Sequence, residues 1–90
     1  MLALPRTLTY PQALATASSL GAQITNQAGA VVIDARALTE FDSSTLAVLL
    51  ASRRAALIAG KGFSVTGVPA QLRQLASLYG VAELIPATAS

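Results

Sequence analysis

The chain has 90 residues, 53% hydrophobic and 11% charged, with six basic and four acidic side chains and a net charge of +2. It contains neither cysteine nor histidine, which excludes disulfides, thiolate metal sites and any nucleophile that relies on an imidazole base. The arginines are scattered and the four aromatics form no stacking series, unlike a nucleic-acid binder.

Ninety residues make one small domain, read as 1–90 without linker, repeat or low-complexity segment. No apolar run approaches the roughly 18–20 residues of a transmembrane helix. The N-terminus lacks the basic region and apolar block of a signal peptide. A cytoplasmic location is therefore expected, with membrane association supplied only through a partner. So many apolar residues with so few charges point to exposed apolar surface and hence to a subunit. Alanine also inflates the hydrophobic share, and composition alone does not separate the two readings.

Leu2-Ala3-Leu4 and Leu8-Thr9-Tyr10 are short extended candidates around Pro5-Arg6. Thr9-Tyr10-Pro11-Gln12 has the form of a capping box with proline in the first turn. Ala13, Ala17, Leu20 and Ile24 then recur at helical spacing, predicting a helix to about Ile24 or Thr25. Ala30 to Asp34 is an uninterrupted β-branched run, which suits a central strand covered on both faces. A second helix is predicted from Ser43, with Leu46, Leu49, Leu50 and Leu57 on one side, ending at Gly60-Lys61-Gly62. Phe63 to Thr66 reads as another core strand. Gly67-Val68-Pro69 opens a third helix with Leu72, Leu75, Ala76 and Tyr79 as its core stripe, and Val81 to Ile85 reads as a last short strand or extended tail. Strands alternating with helices predict an α/β fold with a sheet that is parallel at least in part.

The most informative segment is Glu40-Phe41-Asp42-Ser43-Ser44-Thr45, just before the apolar run Leu46-Ala47-Val48-Leu49-Leu50. An acid and three hydroxyls at a helix mouth suit the free N–H groups of the first turn. They exceed what one cap requires. Ala47, Val48, Ala51 and Ala55 lie away from the leucine stripe and offer a small apolar face to a partner helix. The same face is equally compatible with cover by the chain's own helices. Gly60-Lys61-Gly62 lacks the form of a phosphate loop. Lys61 has no partner in Ser43, and Asp34 reads as a turn-former at its strand end. No catalytic site, cofactor or metal is expected, and Arg53, Arg54 and Arg73 are read as solvated charges.

The stretch Val32-Ile33-Asp34 through Thr39-Glu40-Phe41-Asp42-Ser43-Ser44 to Leu46-Ala47-Val48-Leu49-Leu50 resembles the STAS domain, the fold of the anti-sigma factor antagonists. It is most similar to the stand-alone STAS subunits of bacterial phospholipid-transport ABC complexes, the Mla system. Gly67-Val68-Pro69 through the leucine-rich helix to Gly80-Val81 extends the likeness, which covers about Thr7 to Ile85. The resemblance implies a small mixed sheet with helices mainly on one face. It also implies a non-catalytic subunit that binds the transporter's ATPase subunit and supports its assembly and activity, in a system that maintains outer-membrane lipid asymmetry. Asp42, Ser43, Ser44, Thr45, Ala47, Val48 and Ala51 would form the partner-binding surface. In the antagonists, the serine matching Ser43 is the phosphorylation site that switches partner binding. A phosphate there would meet free N–H donors and the positive end of the helix dipole, although capping requires none. A homodimer without regulatory role is a third reading. Two departures bear on the choice: the first strand pair is short, and Thr45 stands where many members have Gly. The five residues after Ile85 leave no room for the antagonists' additional C-terminal helix, which with Thr45 favours the transport subunit.

Overall fold

The β-branched run after the first helix forms the middle of the sheet. In the computed structural model, whose described residues are 2–86, the elements in chain order are β1 (Leu2–Ala3), β2 (Thr7–Leu8), α1 (Tyr10–Asn26), β3 (Val31–Asp34), β4 (Glu40–Phe41), α2 (Ser43–Ile58), β5 (Phe63–Thr66) and α3 (Ala70–Leu78). The strand order is β1-β3-β5, with β2 and β4 forming a separate pair. Among the described residues every pairing is parallel, with Leu2 opposite Ile33, Val31 opposite Phe63 and Thr7 opposite Glu40. Between the two ladders, Pro5 has no N–H to give. The Arg6 carbonyl instead accepts from the Thr39 and Glu40 amides at 2.8 and 3.0 Å. The short first strands are thus two pieces of one segment, broken at Pro5.

Strands that advance in one direction through right-handed crossovers place successive helices on the same side, and α1 packs along α2 accordingly. Val31, Ile33 and Val65 are fully buried, together with Leu8, Ile24 and Leu49. Val32 and Ser64, on the sheet's opposite side, remain half-exposed. One face of the central strand is therefore fully covered, not both as its uninterrupted apolar run suggests. The α/β, STAS-like arrangement expected from the sequence is the one observed, its described pairings all parallel where the resemblance implies a mixed sheet.

Helix ends account for much of the local order. The predicted box at Thr9 and Gln12 forms, with Gln12 Oε1 accepting from the Thr9 amide at 3.0 Å and its hydroxyl at 2.8 Å. At the other end of α1 there is no basic residue in the last turn. Lys61 supplies that charge from across the fold, its Nζ donating to the Ile24 carbonyl at 2.6 Å and to the Gln27 carbonyl. A cation on unpaired carbonyls at a helix C-terminus is favourable through both hydrogen bonding and the dipole. Gly67 sits at φ +69°, and an added Cβ would lie 2.1 Å from Arg36 Cγ. The arginine stem crosses directly over that glycine.

Two expectations about the C-terminal part are corrected. Ala82–Leu84 form a short 3-10 turn, not a strand. That turn buries Ile85 and lets the Pro86 carbonyl accept from the Val65 amide at 2.9 Å. Tyr79 leaves the core stripe of α3: Leu72 and Ala76 are buried, but Tyr79 is 60% exposed. The helix ends at Leu78 and Gly80 turns at φ +71°, so the tyrosine caps the helix outside the packed face.

Candidate docking site

The mouths of α1 and α2 lie side by side, and one carboxylate serves both. Asp42 Oδ1 accepts from the Ser44 amide at 2.8 Å, while Oδ2 accepts from the Tyr10 amide at 3.2 Å. An acid accepting backbone N–H groups at a helix start satisfies orphan donors and the positive dipole end together. Asp42 is therefore the cap of α2. Ser43 is the first helical residue, exposed, and its hydroxyl takes no part in the capping.

Thr45 points the other way. It is fully buried, and its Oγ1 donates to the Leu8 carbonyl at 2.5 Å and accepts from the Asp42 amide at 3.3 Å. Val48 is 2% exposed and belongs to the core. These two residues are a correction to the expected contact surface. A helix turns about 100° per residue, so Thr45, Val48, Leu49, Ser52 and Ala56 share the face turned into the fold, and all are buried. Ser52 lies in that face because its hydroxyl bonds back to the Val48 carbonyl at 2.9 Å, a local pairing open to serine in helices.

Ser43, Ala47 and Ala51 are exposed, and Asp42 and Ser44 half-buried. The structure brings Ser43, Ser44 and Ala47 together with Leu46 and Leu50 along one wall of an open groove of about 340 Å³. Tyr79 and Val81 form the other wall. Sequence reading missed Leu50, Tyr79 and Val81 as groove residues. The signal was there in Gly80, since a residue beside a helix-ending glycine leaves the helical stripe. Between α2 and α3, the core holds a void of about 10 Å³ lined by Leu46, Leu49, Leu72 and Ile85 among others, at most one water's worth of space.

Charges near the site are few. Asp34 accepts from the Arg36 amide, Nε and a terminal guanidinium nitrogen, each at 3.0 Å. These bonds, the side-chain ones foremost, hold its carboxyl below the ordinary aspartate range. Asp34 thus closes β3 as a turn-former, as its position at the strand end predicts. Among the described residues no cluster of three or more potential metal ligands exists, and no helix is long and apolar enough to cross a membrane.

The arrangement brings an exposed hydroxyl at a helix mouth, exposed alanines and an apolar groove together on one surface. A family model described as "Mlab, STAS domain" matches residues 12–86. No match was found among curated proteins.

Proposed function

This chain belongs to the MlaB-type STAS domain family, and on that premise we propose that it is a non-catalytic subunit of a phospholipid-transport ABC complex. In this reading it docks on the cytoplasmic ATPase subunit, supports assembly and turnover of that subunit, and reaches the inner membrane only through the complex. The observation that carries the proposal is the groove between Ala47–Leu50 and Tyr79–Val81, opening directly beside Ser43. Apolar side chains exposed in a concave surface favour burial against a partner. The local chemistry supports a binding role, because a nucleophilic serine needs a base, and the neighbouring Asp42 carboxylate is engaged by the Ser44 and Tyr10 amides and not by the Ser43 hydroxyl.

The test is co-expression with the ABC ATPase subunit of the same cell, followed by co-purification and measurement of ATP turnover with and without this chain. A stable complex with raised turnover supports the proposal. An ATPase that neither binds nor responds removes it.

One observation favours a second reading. The Ser43 hydroxyl is exposed and free of the cap, so a kinase could reach it without breaking the helix start. Phosphorylation would add about −1.5 to −2 charges at the groove, as in an anti-sigma factor antagonist. Native purification separates the readings: an ABC ATPase, a serine kinase, or a second copy of this chain would accompany the protein.

A further inference from the structure

The groove is one end of a longer stripe. Ala47, Leu50, Arg54, Leu57 and Ile58 share the outer side of α2 at about 100° per residue, opposite the buried Thr45–Ala56 face. Leu57 is 54% and Ile58 79% exposed. Arg54 is the single charge in this stripe, and it is exposed. Among the described residues the one ion pair joins Arg36 to Asp34, so Arg54 meets no carboxylate there. The sequence supplies none nearby: residues 7–33 carry no charge, and α2 has no acid beyond its cap. A partner lying along α2 with a purely apolar surface would bury that guanidinium unpaired, which is strongly unfavourable.

We infer that the partner segment docking along α2 is apolar with one carboxylate set to meet Arg54. Arg54 lies seven positions after Ala47, two helical turns or about 10 Å along the axis. The carboxylate therefore lies about that far from the apolar side chain that fills the groove. Such a pair would fix the register of docking on an otherwise smooth surface, since charge complementarity decides orientation more than it adds affinity. The inference rests on the proposed docking of the ATPase subunit, and it names the chemistry of the segment that docks.

The experiment measures binding of the purified ATPase subunit to the wild type and to Arg54→Glu, Arg54→Lys and Arg73→Glu. Arg73 is an exposed cation on α3, off the stripe, so its reversal changes net charge equally. Circular dichroism and thermal melts confirm that each variant is folded. Arg54→Glu is expected to weaken binding by about tenfold or more, with Arg54→Lys near wild type and Arg73→Glu unchanged. Reversing partner carboxylates one at a time should find one whose change to arginine restores binding to Arg54→Glu. Wild-type affinity in Arg54→Glu, equal losses in Arg54→Glu and Arg73→Glu, or the lack of any restoring reversal each overturns the inference while leaving the docking proposal standing. A wild-type chain that does not bind the ATPase removes both.

Discussion

Thr45 of α2 and Leu8 of β2 are joined by a buried hydrogen bond 37 residues apart in sequence, the threonine hydroxyl donating to the leucine carbonyl at 2.5 Å. The same hydroxyl accepts from the Asp42 amide, and the Asp42 carboxylate holds the Tyr10 amide at the start of α1. One threonine and one aspartate therefore lock the two helix mouths to the strand beneath them. Ser43 and the groove stand on that lock.

Replacing Thr45 with valine keeps the volume and removes the hydroxyl. The Leu8 carbonyl would then be buried without that partner and the part-buried Asp42 amide would lose its acceptor, at a cost of about 1–3 kcal/mol. Urea denaturation of Thr45→Val is expected to show that loss with an unchanged m-value. Wild-type stability would mean that the bond contributes nothing net.

Asp42 and Ser43 separate cleanly, although they are adjacent. Asp42→Ala removes acceptors for both Ser44 and Tyr10 and should cost about 1–2 kcal/mol, in the range for lost N-caps. Ser43→Ala touches neither bond and should leave stability within about 0.5 kcal/mol of wild type. It should also bind the partner nearly normally. Ser43→Asp remains compatible with the helix start but places a carboxylate at the groove, so docking should suffer far more than folding. Equal binding by the alanine and aspartate variants, both folded, would take Ser43 out of the interface.

The long helices, the central strand and the capping box at Thr9 were legible because each has a local chemical cause: periodicity, β-branching, or a side chain that reaches its own backbone. The face of α2 was not. Its outer side carries leucine, isoleucine and alanine, while its buried side carries Thr45 and Ser52, so hydrophobicity does not mark which side is inside. The hydroxyls are tolerated within because each finds a carbonyl, and one of those is 37 residues away. Tyr79 and Leu57 misled in the same way, as apolar residues at helical spacing that packing leaves outside. The role of Lys61 was equally hidden, since its acceptors lie at the end of a different helix.

That correction changes what an arginine scan along α2 should give. Val48→Arg would force a charge into the core and is expected to unfold the domain. Ala47→Arg and Ala51→Arg start from exposed positions and should keep wild-type melts. Ala47→Arg should abolish capture of the ATPase subunit, because Ala47 lines the groove. Folding and binding assays on the same variants decide it: a folded Val48→Arg would contradict the burial, and a fully binding Ala47→Arg would place the contact elsewhere.

The Asp34–Arg36 pair predicts how stability responds to acid. Arg36 holds the Asp34 carboxyl below its ordinary value, first through its side-chain hydrogen bonds and then through its backbone amide. A carboxylate with a depressed folded-state pKa contributes stability that is present above the unfolded value, about 3.9. That contribution is lost as pH falls through the lower folded value. Arg36→Gln should remove the guanidinium bonds while keeping the stem that crosses Gly67 and the backbone amide bond. The wild type should then exceed the variant by a small, constant margin from neutral pH down to about pH 5. The margin should close below about pH 4 as Asp34 is protonated in both proteins. The guanidinium side is 69% exposed, so salt should shrink the margin as well. Urea melts across that range at low and high ionic strength make the measurement, and a margin that persists undiminished in acid would assign the effect to packing of the arginine stem instead of its charge.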